Sequence, residues 1–460
     1  MNPSQLLVLV PELLVVVIGL LLTLQARLGG WRLLTLVAAL LAGVAAGLEV
    51  WQGATLISIV PGLYVQDRFA LCAKAALLAG LFALLVVAPL EEGRGARGLP
   101  LAALATLGGM VALSSPSLPL LWAAASVAFL AGVAAGSPRL GELGRSVLGL
   151  VGAAVVLSGV GVLALCLIGH TTSLDGLRQA LERDGGGTAA GLITMLAASG
   201  LLLPLLLLPA RAWHGASGTA VGEAVLGAIV SGSALLVGSR LLAAGFPLGP
   251  TWGPYLAVLA AVGAVVFGLL AISSGSPRQL VAWLVCGQAA WAMAALGAHD
   301  RLGTAGTIYL VGCFTVAAAA APLMVATLPE TGQGLQGMAA RQPWRGVGLT
   351  LVLLSLAGAP PLGGFFGEIS IAAALVDARL TWLLGATLFG GALCVWAVLR
   401  LLIRAWLDPV QEDAHHHASS ASVLHTAATL VGLLVLAYGL FAYPIQGLAI
   451  QGAEAIGLLR

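Results

Sequence analysis

Charge is scarce in this 460-residue chain: only 8% of its residues are Asp, Glu, Lys or Arg, and lysine occurs once, at Lys74. A soluble domain carries roughly 25% charged residues, so a soluble globular protein is excluded. The 20 basic and 18 acidic side chains leave a net charge of +2, which offers no electrostatic case for binding nucleic acid. Cysteine is also sparse. Cys72, Cys166, Cys286, Cys313 and Cys394 each sit in an apolar run without CxxC spacing. They read as small core residues, with neither disulfides nor a metal or iron–sulfur site indicated. Rossmann and flavin fingerprints are missing as well. The longest polar connectors, 170–188, 329–345 and 407–423, are too short to fold as soluble domains.

What remains is apolar: 60% hydrophobic residues and a mean hydropathy of +1.05. A membrane span takes about 20 apolar residues. Fourteen candidates follow: 4–26, 32–52, 69–89, 99–115, 118–136, 147–169, 189–209, 221–244, 253–274, 279–297, 305–328, 346–374, 381–406 and 424–443. The fold expected is an all-α polytopic membrane protein in one transmembrane domain over 1–460. Residues 4–26 run past a signal h-region, lack a basic n-region and contain Pro11-Glu12, so they read as a first span rather than a cleavable signal. Trp31, Trp51, Trp252, Trp344 and Trp382 fall near span ends, as an interfacial belt requires. Twelve basic residues (Arg27, Arg32, Arg94, Arg97, Arg139, Arg145, Arg211, Arg278, Arg341, Arg345, Arg400, Arg404) lie on the side that is cytoplasmic if the N-terminus is outside, against eight opposite. The positive-inside bias then puts both termini outside.

Residues 353–368, LLSLAGAPPLGGFFGE, are the most informative stretch. Pro360 and Pro361 remove backbone donors inside an apolar run, Gly363 and Gly364 follow, and the acid Glu368 ends it. A helix broken at membrane depth is tolerated where it is buried in protein or lines a wet cavity. Pro204 and Pro209 interrupt the seventh candidate span as Pro360 and Pro361 interrupt the twelfth. Two breaks at matching places point to inverted repeats, roughly 99–244 and 253–406, around a midplane site.

These segments resemble the antiporter-like membrane subunits of proton-pumping NADH:quinone oxidoreductase (respiratory complex I), subunit N most of all. The resemblance rests on LLSLAGAPPLGGFFGE, on VPELLVVVIGLLLTL, on QDRFALCAKAALLAGL at 66–81, on PARAWHGASGTAVGEAV at 209–225 and on RQLVAWLVCGQAAWAMAAL at 278–296. It implies a multi-pass subunit of the bacterial inner membrane that couples electron transfer elsewhere to proton translocation. NADH, FMN, iron–sulfur clusters and quinone would then belong to partner membrane and peripheral subunits, with no redox centre and no catalytic residue in this chain. In that family a row of ionisable groups carries protons along the midplane. Here Ser126 stands at the span-5 glutamate, Pro204 at the span-7 lysine, Ser231 at the span-8 lysine and Gln288 at the histidine. Arg278 matches the basic residue opening span 10, and Glu368 the terminal position. Two alternatives stay open beside a pump: a pump-silent structural subunit of the same complex, and a cation/proton antiporter subunit of the Mrp type.

Each candidate also has a plainer reading. Glu368 is either a proton carrier or a neutral carboxyl bonded to loosened backbone, since a buried carboxylate costs about 2.5–3.5 kcal/mol on insertion scales. Arg278 stays protonated at working pH, so it acts as a fixed counter-charge or marks a cytoplasmic boundary. Gln288 and Ser231 relay hydrogen bonds or simply glue helices together. His214, with Arg211, either feeds a cavity or sits in a surface loop. Glu12 faces a partner subunit or caps a turn. Glu223 and Arg240, seventeen residues apart on one span, default to boundary positions, and His415-His416-His417 to a solvated loop.

Overall fold

A computed structural model describes residues 7–28, 32–52, 57–88, 98–136, 142–184, 187–202, 205, 219–326, 328, 336–409 and 421–456. Pro204, Pro209, Arg211, His214 and the His415–His417 tract lie outside them.

The first helices are α1 (Val10–Leu28), α2 (Arg32–Trp51), α3 (Arg68–Val87), α4 (Leu99–Leu113), α5 (Leu118–Ala135) and α6 (Glu142–Gly169). An amphipathic α7 (Leu174–Asp184) and the apolar α8 (Thr188–Leu202) follow. Then come α9 (Ala220–Ala244), α10 (Gly249–Ile272), α11 (Pro277–Gly297) and α12 (Arg301–Ala326). The chain ends with α13 (Met338–Arg341), α14 (Pro343–Leu356), α15 (Gly363–Asp377), α16 (Thr381–Trp406), α17 (Ala421–Leu440) and α18 (Ala442–Ala455). Among the described residues 10 helices are long and apolar enough to cross a membrane, or 11 if the pair α17–α18, bent by 74°, is one span. The expectation of helices alone misses one element. Residues β1 (Ile57–Val60) and β2 (Tyr64–Gln66) form an antiparallel hairpin between α2 and α3, pairing Ile57 with Gln66 and Ser58 with Val65. Gly62 at its tip takes φ +76°, which a side chain resists. The Val65 N–H donates to the Ser114 carbonyl at 2.8 Å, tying the hairpin to the end of α4.

Helices divide by burial. The apolar window of α12 is 100% buried and those of α9 and α11 are 94% buried, whereas α1, α2, α6 and α16 bury only 33%. The outer helices therefore leave apolar faces uncovered by the rest of the chain, and α9, α11 and α12 form the protein interior. Composition explains the centre. Helix α12 carries Ala317–Ala321, and its glycines bring backbones close, the packing that drives helix association where lipid is as apolar as the side chains. A Cβ on Gly306 meets Ile371, and one on Gly312 meets the Tyr438 hydroxyl. Tyr309 and Tyr438 each donate a hydroxyl to the other's carbonyl, at 3.3 and 3.0 Å, and Thr315 of α12 donates to the Ala76 carbonyl of α3 at 2.8 Å.

Gly312→Leu pushes a side chain into Tyr438 and should cost about 1–3 kcal/mol. SDS-titration unfolding of the purified protein in mixed micelles checks this, and wild-type stability in the variant would refute the close approach of α12 to α17.

A carboxylate at a broken helix

The stretch expected as one span over 346–374 is two helices. Helix α14 stops at Leu356 and α15 starts at Gly363. Between them the chain turns through Gly358 at φ +75° and the Pro360–Pro361 bond, which is cis. Local bonds satisfy most of the freed backbone: Gly358 N–H to Ser355 O at 3.1 Å, Ala359 N–H to Leu354 O at 2.9 Å and Leu362 N–H to Ala359 O at 3.2 Å. The last helical carbonyl, on Leu356, is met from outside.

Gln288 meets it. Its Nε2 donates to the Leu356 carbonyl at 2.9 Å and to Glu368 Oε1 at 2.8 Å. One amide therefore bridges the broken end of α14 and the carboxyl on α15. Gln288 is the twelfth of the 21 residues of α11, so the bridge sits near mid-height of a buried span. Ala264, Gly287, Trp291, Gly390, Gly391 and Cys394 are among the other residues that line this pocket. Its water-accessible part is ≈ 10 Å³, the space of about one water molecule. Gln288 Oε1 and Trp291 Nε1 are buried without a protein hydrogen-bond partner. An acceptor, a donor and a carboxyl thus share a space of water size. Gly358 completes the fit, because a Cβ there would strike the Glu368 carboxyl.

The other expected path residues are placed differently. Ser126 donates to Trp122 O at 2.7 Å, inside its own helix α5. Ser231 donates to Leu226 O at 2.8 Å, five residues back, because residues Val225–Val230 of α9 form a π-helical turn. Neither hydroxyl reaches Glu368 in the described hydrogen bonds. Arg278, in the first turn of α11, pairs with an acid on another helix. Its Nη2 lies 2.8 Å from Glu223 Oε1, beside the π turn, and the two line a pocket with Leu226, Gly227, Val281 and Pro322.

Arg240, one turn from the end of α9, is more than a lone boundary charge. It is buried and holds Asp67 in a bidentate pair, with Nη2–Oδ2 at 2.7 Å and Nη1–Oδ1 at 3.3 Å. Asp67 also caps α3 by accepting from Ala70 N at 2.7 Å, and the Arg240 guanidinium lies 5.7 Å from the Phe69 ring centroid. Glu223 and Arg240 thus each find a partner on another element, roughly 25 Å apart along α9. A further group, missed in the sequence, surrounds Lys74. Its Nζ lies 2.6 Å from Glu12 Oε1 and 3.2 Å from Glu49 Oε1. A lone lysine in an apolar span requires a counter-charge, and that requirement was the available signal.

Residues 120–394 match the family described as NADH:quinone oxidoreductase/Mrp antiporter, TM. The chain belongs to this family. Subunit N of NADH-quinone oxidoreductase from Cereibacter sphaeroides is 30% identical over 75% of this chain and 78% of its own length. A chain of respiratory complex I from Thermus thermophilus superposes with a TM-score of 0.76 at 20% identity, covering 95% of this chain and 98% of that one. A chain of the Mrp complex from Dietzia sp. DQ12-45-1b gives 0.80 at 18% identity, covering 99% and 97%. These two structural likenesses speak to the fold. The family match spans α9, α11, α12 and the Glu368 break, so the Gln288–Glu368 bridge lies within the matched region.

Removing one member of the buried Asp67–Arg240 pair strands the other's charge, which costs about 3–5 kcal/mol. Asp67→Ala should therefore lower stability by that order in SDS unfolding, and Asp67→Ala with Arg240→Met should regain most of it. Equal instability of the single and double variants would argue against the pair. Gly358→Ala meets both the left-handed backbone and the Glu368 carboxyl, and about 1–3 kcal/mol of destabilisation is expected in the same assay.

Proposed function

We propose that this chain is a membrane-arm subunit of a bacterial NADH:quinone oxidoreductase, of the subunit N kind, and that Glu368 takes part in its proton translocation. The observation that carries the reading is the Gln288–Glu368 bridge at the break between α14 and α15. It puts an ionisable group at mid-height, against backbone freed from the helix and beside a space of water size. Such a carboxyl can take up and release a proton without leaving the protein interior. Gln288 holds it in place in either state, since an amide can donate to a carboxylate or accept from a carboxylic acid.

The architecture supporting this reading has fourteen spans: the ten long helices, α4, α8, the broken pair α14–α15, and α17–α18. Its two halves, 99–244 and 253–406, would be inverted repeats within one domain, with both termini outside the inner membrane. NADH, FMN, the iron–sulfur clusters and quinone are assigned to partner subunits, in keeping with a sequence that lacks their fingerprints. Membrane and peripheral subunits of the complex and the lipid bilayer are the partners; nucleic acid is not among them. A second reading, a pump-silent subunit of the same complex, is favoured by one observation: Ser126 and Ser231 spend their hydroxyls on their own helices.

Proton pumping by the assembled complex in sealed vesicles, normalised to NADH oxidation, separates the two. Glu368→Gln should lower the protons moved per electron while assembly stays intact. An unchanged ratio would leave the chain as scaffold and place translocation in sister subunits.

A further inference from the structure

Away from the broken helix, the most concentrated buried chemistry lies where α1, α2, α3 and the β-hairpin meet. Lys74, at 0% exposure, is the centre of it. Glu12 of α1 takes two of the cluster's contacts on one oxygen: Oε1 accepts from Lys74 Nζ at 2.6 Å and from the Tyr64 hydroxyl. Lys74 also donates to the Tyr64 oxygen at 3.1 Å. Glu49 of α2, at 0% exposure, accepts from Gln66 Nε2 on Oε2 at 2.7 Å and turns Oε1 toward Lys74 at 3.2 Å, outside hydrogen-bond geometry.

Charge does not balance here. Two carboxylates face one ammonium, in a place where Glu12 is 6% exposed and Gln66 2%. The nearest other cation with a buried partner, Arg240, is already neutralised by Asp67. Arg68 opens α3 on the exposed side, and Cys72 donates to the Leu448 carbonyl at 3.5 Å. Of the elements packed on α3, α4 brings Ser114 at its end, and the acid of α18, Glu454, is held by Arg301 at 2.8 Å. Hydrogen bonding is unbalanced in the same sense: Glu12 Oε2, Glu49 Oε1 and Gln66 Oε1 are buried acceptors without a donor. One structural ion pair needs one carboxylate. The second, wholly buried, is a net charge that the interior strongly disfavours.

We propose that this pocket is a second proton-binding site, in which Glu12 and Glu49 share one exchangeable proton over the Lys74 ammonium. A proton removes the surplus charge and supplies a donor among oxygens that have none. A metal ion fits poorly, because hard cations take about six or more oxygen ligands and the ammonium already stands between the two carboxylates. Tyr64 gives the proton a way out. Its hydroxyl touches both Glu12 and Lys74, and its ring is part-exposed on a hairpin whose tip, Val60 to Leu63, is exposed. A hydroxyl both accepts and donates, so it can pass a proton between carboxyl and surface.

The site does not depend on the function proposed for Glu368, and it can be tested on the full chain in lipid nanodiscs. Infrared difference spectra are recorded across a pH step, with the protons taken up counted by potentiometry. In a Glu368→Gln background, which silences the carboxyl at the broken helix, the chain should show a protonated-carboxyl band that Glu49→Gln abolishes and Glu454→Gln leaves in place, with uptake falling by about one proton per chain on adding Glu49→Gln. Tyr64→Phe keeps both carboxyls and removes one donor, so it should shift the band and its titration midpoint; this holds the test open if Glu49→Gln fails to fold. A band indifferent to Glu12→Gln, Glu49→Gln and Tyr64→Phe would overturn the proposal. So would a band that sodium or potassium ions remove at fixed pH, which would mean a metal-cation site instead.

Discussion

The interior of this protein depends on a single amide reaching across a gap. A span that stops half-way leaves a carbonyl with no following turn, and hydrocarbon offers it no water. Gln288 satisfies that carbonyl on Leu356 and with the same nitrogen fixes the carboxyl of Glu368. The neighbouring choices follow from this. Gly358 keeps a Cβ off the carboxyl, and Gly364 lets the start of α15 pass the Ser355 carbonyl, where a Cβ would clash. Ser355 lies between the two half-helices, with its hydroxyl 3.4 Å from the Gly364 N–H and 3.3 Å from the Cys313 sulfur. The small residues of α12 then let that helix pack against α15 and α17 together.

Scarcity of charge sets the second level of organisation. Several charges in the described part of the molecule are met by opposite charge from another element: Arg240 by Asp67, Arg278 by Glu223, Lys74 by Glu12 and Glu49. Glu368 differs, having a neutral amide as its partner. One-to-one pairing, as in Asp67–Arg240, fixes helices in register. A carboxyl bonded to an amide is free to exist in either protonation state, and this separates the Glu368 site from the ion pairs around it.

Much of this was legible in the sequence, and the part that was not has a common cause. The broken helix showed itself because proline, glycine and an acid act locally, within 353–368. Gln288 was reached through the resemblance of 278–296 and lands against Glu368, 80 positions away. The pairs Asp67–Arg240 and Glu223–Arg278 were not reached, being separated by 173 and 55 positions. Periodicity places a residue on a face without saying which element opposes it. Seventeen residues along one helix excluded a Glu223–Arg240 contact correctly, and the boundary reading left open which opposite charge each one meets. The hairpin was hidden for another reason: its two strands are so short that they read as a connector. The π turn in α9 left no signature beyond an apolar run.

Hydroxyls and amides contribute differently from charged side chains to any path for protons. Two unit charges 10 Å apart at an effective dielectric constant near 20 interact by roughly 1.7 kcal/mol, enough to shift a neighbour's protonation about tenfold or more. Ser126, Ser231 and Gln288 carry no charge, so they exert no such pull and pass on only hydrogen bonds. Arginines exert it constantly, because they do not titrate. Among the described residues, a change in the distance of Arg240 or Arg278 from its acid would be one electrostatic link between a carboxyl at mid-height and the ends of α9. Both pairs stand on α9, whose π turn interrupts the regular ladder between them. The helix that carries the fixed charges is also the one with an irregular turn along which its two ends can shift against each other.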